Sequence, residues 1–152
     1  MPKLLLFTPC EKVIISQEGQ MSLMTIVDGF NVSMSAEEYD NLPDDAVAQI
    51  AWHIVAKWSR EDNEEEEPAH WEQRIQVITP SGRVSTNLIT RIDLVSNLGM
   101  RNVLRVNGFP IKPLGRCKIM LSLRKAGDND TSWQEIASYP VKVQNISPNP
   151  EH

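Results

Sequence analysis

Asp62, Glu64, Glu65, Glu66, Glu67 and His70 crowd one short stretch between Arg60 and Trp71. Carboxylates with an imidazole are the donors of hard and borderline cations, but this spacing matches neither a calcium loop nor a zinc pattern. Consecutive glutamates repel one another and cannot be packed in a core, so the stretch reads as a solvated acidic loop whose charge could meet a basic partner. Asp128-Asn129-Asp130, just before Trp133, is a second candidate. In a C2-like sandwich calcium sits between apical loops rich in Asp, and Asp28 and Asp93 could supply further carboxylates. Asp128 and Asp130 are therefore kept as candidate metal ligands beside their reading as ordinary turn formers; no metal site is assigned.

Trp52, Trp58, Trp71 and Trp133 could form a platform for sugars, since flat rings stack on the apolar faces of a glycan. Trp52, Trp58 and Trp71 share inward phases with other apolar residues and read as core; Trp133, beside a polar turn, is expected to be partly exposed. Nucleophilic catalysis finds no motif. No G-x-S-x-G elbow precedes a helix, Cys10 and Cys117 sit in apolar runs without a neighbouring histidine, and the glycines are single turn residues rather than a phosphate-binding loop. His53, His70 and nearby carboxylates could converge only through the fold. No cofactor is implied.

The element that must organise these residues is Ala46 to Trp58. Ala46, Ala48, Ile50, Trp52, Ile54, Ala56 and Trp58 alternate with Gln49, His53 and Lys57, the period of a strand with one buried face. Val47, Ile50, Ala51, Ile54 and Trp58 also make a helical stripe behind a capping Asp44, so a helix competes with the strand. The unbroken alternation and the strand-like flanks decide for the strand.

Leu4 to Ile15 reads as a long strand with Pro9 marking an edge or bulge. Met21 to Met34 returns as its hairpin partner, with Gly29 as a bulge. Ser35 and Glu38 have the spacing of a capping box, which predicts a turn or two of helix over 36–41. Trp71 to Thr79 is expected to pair with the central strand across the acidic loop. Arg83 to Ser96, Met100 to Val106, Arg116 to Lys125 and Trp133 to Val143 each alternate, with either a hairpin turn at Asn107-Gly108 or a longer irregular connection around Pro110 and Pro113 before the third. Asn145 to His152 reads as a disordered tail. These short strands with almost no helix predict an all-β, two-layer antiparallel sandwich, immunoglobulin-like or C2-like, over a single domain 1–144.

A chain of 152 residues can bury one core. Net charge is −5 and Lys and Arg are scattered along the sequence, which disfavours nucleic acid as a partner. The opening apolar run is too short for a signal peptide and no later run could span a membrane, so a cytoplasmic protein without membrane attachment is expected. In that compartment Cys10 and Cys117 are expected to be free buried thiols.

The opening LLLFTPCEKVIISQEGQMSLMTIVDGF and the later FPIKPLGRCKIMLSLR, Phe109 to Arg124, resemble a domain-of-unknown-function family of small uncharacterised bacterial proteins. The resemblance carries Cys10, Glu11, Val13, Gly19, Ser22 and Leu23, and a Pro and Gly lead into a strand. Cys117 departs from it where an aromatic residue is expected, as does the long glutamate loop. It implies a compact β-sandwich and no assigned activity. The expected function is that of a non-enzymatic protein-interaction module, acting through a sheet edge or apical loops, with Trp133 and Glu64 to Glu67 as candidate contacts. A calcium- or glycan-binding module and an enzyme whose site forms only in the fold are the alternatives. A homo-oligomer is compatible with each.

Overall fold

Alternating burial turns the predicted strands into two packed sheets in the computed structural model, which describes residues 1–61, 70–127 and 132–146. The elements are β1 (Lys3–Ile15), β2 (Met21–Ile26), β3 (Gly29–Val32), α1 (Ala36–Asp40), β4 (Val47–Ser59), β5 (Trp71–Ile78), β6 (Val84–Ile92), β7 (Gly99–Pro110), β8 (Gly115–Lys125) and β9 (Gln134–Asn145). Sheet I has the order β2-β1-β4-β7 and sheet II the order β3-β9-β8-β5-β6. All pairings are antiparallel except β3 with β9, which run parallel. The fold is an all-β sandwich. No helix among the described residues is long and apolar enough to cross a membrane.

The central stretch is a strand, β4, with Trp52, Ile54, Ala56 and Trp58 buried between the sheets. They meet Ile75 and Val77 of β5, and Cys117, Ile119, Leu121 and Leu123 of β8. Each buried indole finds an acceptor, as a buried N–H must: Trp52 Nε1 donates to the Gly108 carbonyl at 2.8 Å and Trp58 Nε1 to Gln73 Oε1 at 2.8 Å. Phe30 and Phe109 pack against Trp52, with ring centroids 6.3 and 5.4 Å from it. Gln73 is a polar residue in an inward phase, fully buried, and its Nε2 has no hydrogen-bond partner among the described residues.

α1 begins where the capping box places it, with Ser35 Oγ accepting from the Glu38 N–H at 3.1 Å. Other connections differ from those expected. Trp71 does not open a hairpin with β4: β5 belongs to sheet II, between β8 and β6. Met21 to Met34 is not one strand either. The chain leaves sheet I after β2, and at β3 a Cβ on Gly29 would lie 2.7 Å from the Lys142 carbonyl oxygen, so the glycine permits close strand contact rather than a bulge. Asn107-Gly108 is no turn. It lies inside β7, which continues to pair with β4 through Phe109 and Pro110. Asn145 is the last residue of β9, donating to the Met34 carbonyl at 2.8 Å and accepting from the Met34 N–H at 3.2 Å, and residues 147–152 of the expected tail lie outside the described residues.

Beyond Cys10 the β1–β2 hairpin parts from β4 and its tip reaches across sheet I, where the Gly19 carbonyl accepts from Arg101 Nη1 of β7 at 3.2 Å. Val55 alternates with the core residues Ile54 and Ala56 and so faces this outer side, yet its exposure is 0%. The departure is marked by Thr25, a β-branched residue at φ 56°, between the register pairs Cys10 with Ile26 and Lys12 with Met24.

Candidate functional site

The strands fix a charge pattern that the linear sequence hides. Among the described residues twelve Lys and Arg lie on strands but only three Asp and Glu, a surplus of nine positive charges on strands in a chain whose net charge is −5. Outward phases of sheet II hold Arg74, Arg91, Arg116, Lys118, Arg124 and Lys142 against Glu72 and Glu135. Two of these cations are ion-paired: Lys118 with Glu135 at 2.9 Å and Arg124 with Glu72 at 2.8 Å. The expectation of scattered cations is corrected here, because strand register gathers onto one face what alternation spreads along the chain.

Trp133 stands on this face. β8 pairs Leu123 with Gln134, so Trp133 adjoins Arg124, and Arg74 lies on the neighbouring strand opposite Ser122. The Arg124 guanidinium carbon is 4.3 Å from the indole centroid and that of Arg74 is 4.7 Å away. The ring faces attract the cations electrostatically, at about 0.5–2 kcal/mol each. Arg74 Nε is buried without a hydrogen-bond partner among the described residues. Its guanidinium pKa is lowered by burial first and by the Arg124 charge second, so the arginine pair is held close at some cost in repulsion. Trp133 is half-buried and the sheet beneath it is closed, Ser122 being 1% exposed.

At the other end of sheet II an open groove of about 660 Å³ is lined by Asp28, Arg116, Tyr139, Pro140 and Lys142. Arg116 and Lys142 are direct cross-strand partners. The Tyr139 hydroxyl donates to Asp28 Oδ1 at 2.6 Å. That bond, followed by burial and the carboxylate's charge, raises the Tyr139 pKa above its ordinary value, with Thr8 acting weakly the other way. Arg116 and Arg124 are eight positions apart on β8, so groove and indole are about 26 Å apart along the strand.

Comparison with protein-family models, with curated proteins and with solved structures returns no match. The resemblance to the domain-of-unknown-function family therefore stands on the quoted residues alone.

The other candidate residues are distributed as follows. Glu64, Glu65, Glu66, Glu67, Asp128 and Asp130 lie outside the described residues. Among the described residues no group of three or more His, Cys, Asp or Glu is arranged to hold a metal ion. Trp52 and Trp58 are sealed in the core at 1% and 0% exposure and offer no face to a sugar; Trp71 packs partly against the same core. His53 Nδ1 sits 3.0 Å from the Glu11 carbonyl on sheet I, while His70 Nδ1 lies 3.8 Å from Asp93 Oδ1 at the start of β5. The fold does not bring the histidines together, and neither lines the groove. Cys10 and Cys117 are both free and buried, and only Cys117 belongs to the core between the sheets. Burial raises both thiol pKa values, that of Cys117 to about 11, which disfavours the nucleophilic thiolate.

Arg74, Arg124, Arg116, Lys142 and Tyr139 were not singled out by sequence motifs. For the cations the signal is positional, since they repeatedly fill outward phases of predicted strands; Tyr139 lies in the inward phase, opposite Ile119, and carries no such signal.

Proposed function

We propose that this chain is a non-enzymatic β-sandwich module that binds an acidic protein surface through the outer face of sheet II, with Trp133 as its anchor. The observation that carries this reading is the Trp133 indole held 4.3 and 4.7 Å from the Arg124 and Arg74 guanidiniums on a face with surplus positive charge. Tryptophan and arginine are the side chains that most often dominate binding energy at protein interfaces. A half-buried indole braced by its neighbours loses little entropy on binding. The chain as a whole carries −5 and repels any uniformly anionic polymer at long range, so a protein whose acidic patch is local is favoured over nucleic acid, whose phosphates are negative along their whole length. The glutamate-rich stretch adds to that repulsion.

The test is an NMR titration of the labelled protein with a short glutamate peptide, with a duplex oligonucleotide as the parallel arm. Saturable shifts of the Trp133 indole N–H with the peptide, abolished in Arg74→Glu/Arg124→Glu, are expected. Preferential binding of the oligonucleotide, or shifts unaffected by the charge reversal, would overturn the reading.

A further inference from the structure

Arg116 and Lys142 face each other across β8 and β9 in direct register. Like charges directly opposite on adjacent strands destabilise a sheet. Elsewhere on the same face Lys118 and Arg124 each have a carboxylate beside them, Glu135 and Glu72, and neither stands opposite a like charge. Among the described residues no carboxylate lies within ion-pair distance of Arg116 or Lys142. Asp28, on the same rim, is engaged by the Tyr139 hydroxyl at 2.6 Å. These opposed cations are also the ones that line the groove of about 660 Å³, a volume in the range of small-molecule sites.

The geometry points to a binding site in this groove for a small anion of the phosphate-ester or carboxylate class that also carries a hydroxyl or amine. Arg116 offers a planar fork to two oxygens of the anionic group and Lys142 a point charge beside it. Asp28 keeps an oxygen to accept from the ligand's hydroxyl or amine, and its position is set by Tyr139. Pro140 supplies a rigid apolar wall, since its ring fixes the backbone and leaves no N–H to satisfy. The anion would fill the place that a carboxylate occupies beside Lys118 and beside Arg124. The site is separate from the Trp133 anchor and does not depend on a protein partner.

The experiment is an amide and side-chain NMR titration at constant ionic strength with three probes: inorganic phosphate, phosphoserine and aspartate. Saturable shifts confined to Asp28, Arg116, Tyr139 and Lys142 and their sheet neighbours are expected. Arg116→Gln/Lys142→Gln should weaken binding at least tenfold while keeping a dispersed, folded spectrum. Trp133→Ala should leave it unchanged, which separates this site from the protein-binding face. Response to phosphoserine without aspartate assigns a phosphate ester, and the reverse assigns a carboxylate; either supports the site. Linear, non-saturating shifts with all three probes, or equal affinity in the double variant, would overturn it. A melting temperature that rises with the bound probe in the wild type but not in the double variant is the independent check.

Discussion

Gly108 is where the central strand, its tryptophan and the neighbouring strand are locked together, and Gly108→Ala tests that arrangement. Gly108 has φ 94°, and a Cβ built on it would stand 2.5 Å from Val47 Cγ1 and 3.4 Å from the Ala48 carbonyl oxygen. Two separable costs follow: about 1–2 kcal/mol for placing an L side chain in the left-handed region, and about 1–3 kcal/mol for overpacking against Val47. The Gly108 carbonyl also accepts from Trp52 Nε1 at 2.8 Å, so backbone relief of the clash is resisted by a buried hydrogen bond. The single variant should lose about 2–5 kcal/mol. Val47 is 43% exposed, so Val47→Ala alone should cost about 0.5 kcal/mol or less. In that background the steric part of the Gly108→Ala penalty disappears and the backbone part remains, giving a coupling energy of at least about 1 kcal/mol in a double-mutant cycle. Denaturant unfolding of the four proteins, with matched slopes, measures it. Equal penalties in both backgrounds, or a Gly108→Ala loss below about 0.5 kcal/mol, would refute the packing described for β4 and β7.

Thr25 at φ 56° predicts that Thr25→Asn, a residue that tolerates the left-handed region, stabilises the protein by about 1 kcal/mol in thermal or denaturant unfolding; a loss of stability would contradict the strain at the hairpin's departure from sheet I. Cys117 supplies a pH dependence. Its thiol is pushed from an ordinary value of 9.0 to about 11 by burial, so between those values the unfolded chain has released a proton that the folded chain still holds, and stability falls as pH rises. Compared with Cys117→Ala, which lacks the thiol, the wild type should lose about 2–3 kcal/mol of relative stability across that window. A flat difference would contradict the burial of the thiol.

Alternation made the core strands legible because each has one face in a single core: β8 reads directly from Cys117, Ile119, Leu121 and Leu123 against Arg116, Lys118 and Arg124, whereas β2 contributes no residue to that core. The helix was equally legible, since a capping box is a local hydrogen-bond pattern. Strand partnership was not. Periodicity says which side of a strand is buried and nothing about which strand lies beside it, so β4 and β5 were expected to pair although they occupy different sheets. Asn107-Gly108 favours a turn as a dipeptide, but pairing with β4 and the bond from Trp52 hold Gly108 inside β7. The basic face was hidden for a related reason. Arg74 and Arg124 are fifty positions apart, and only the register of β5 with β8, and the start of β9 beside them, sets both guanidiniums on Trp133. Trp133 itself was legible as a partly exposed residue from the polar turn before it.

The most direct test of the protein-binding reading is affinity purification of the tagged chain from its own organism at near-physiological salt, beside Arg74→Glu/Arg124→Glu and Trp133→Ala. Native mass should fix the stoichiometry of whatever is recovered. The account predicts a stoichiometric protein partner with an acidic contact surface, retained by the wild type, lost from both variants and released as salt is raised. A wild-type chain recovered alone, or a partner held equally by all three proteins, would contradict it.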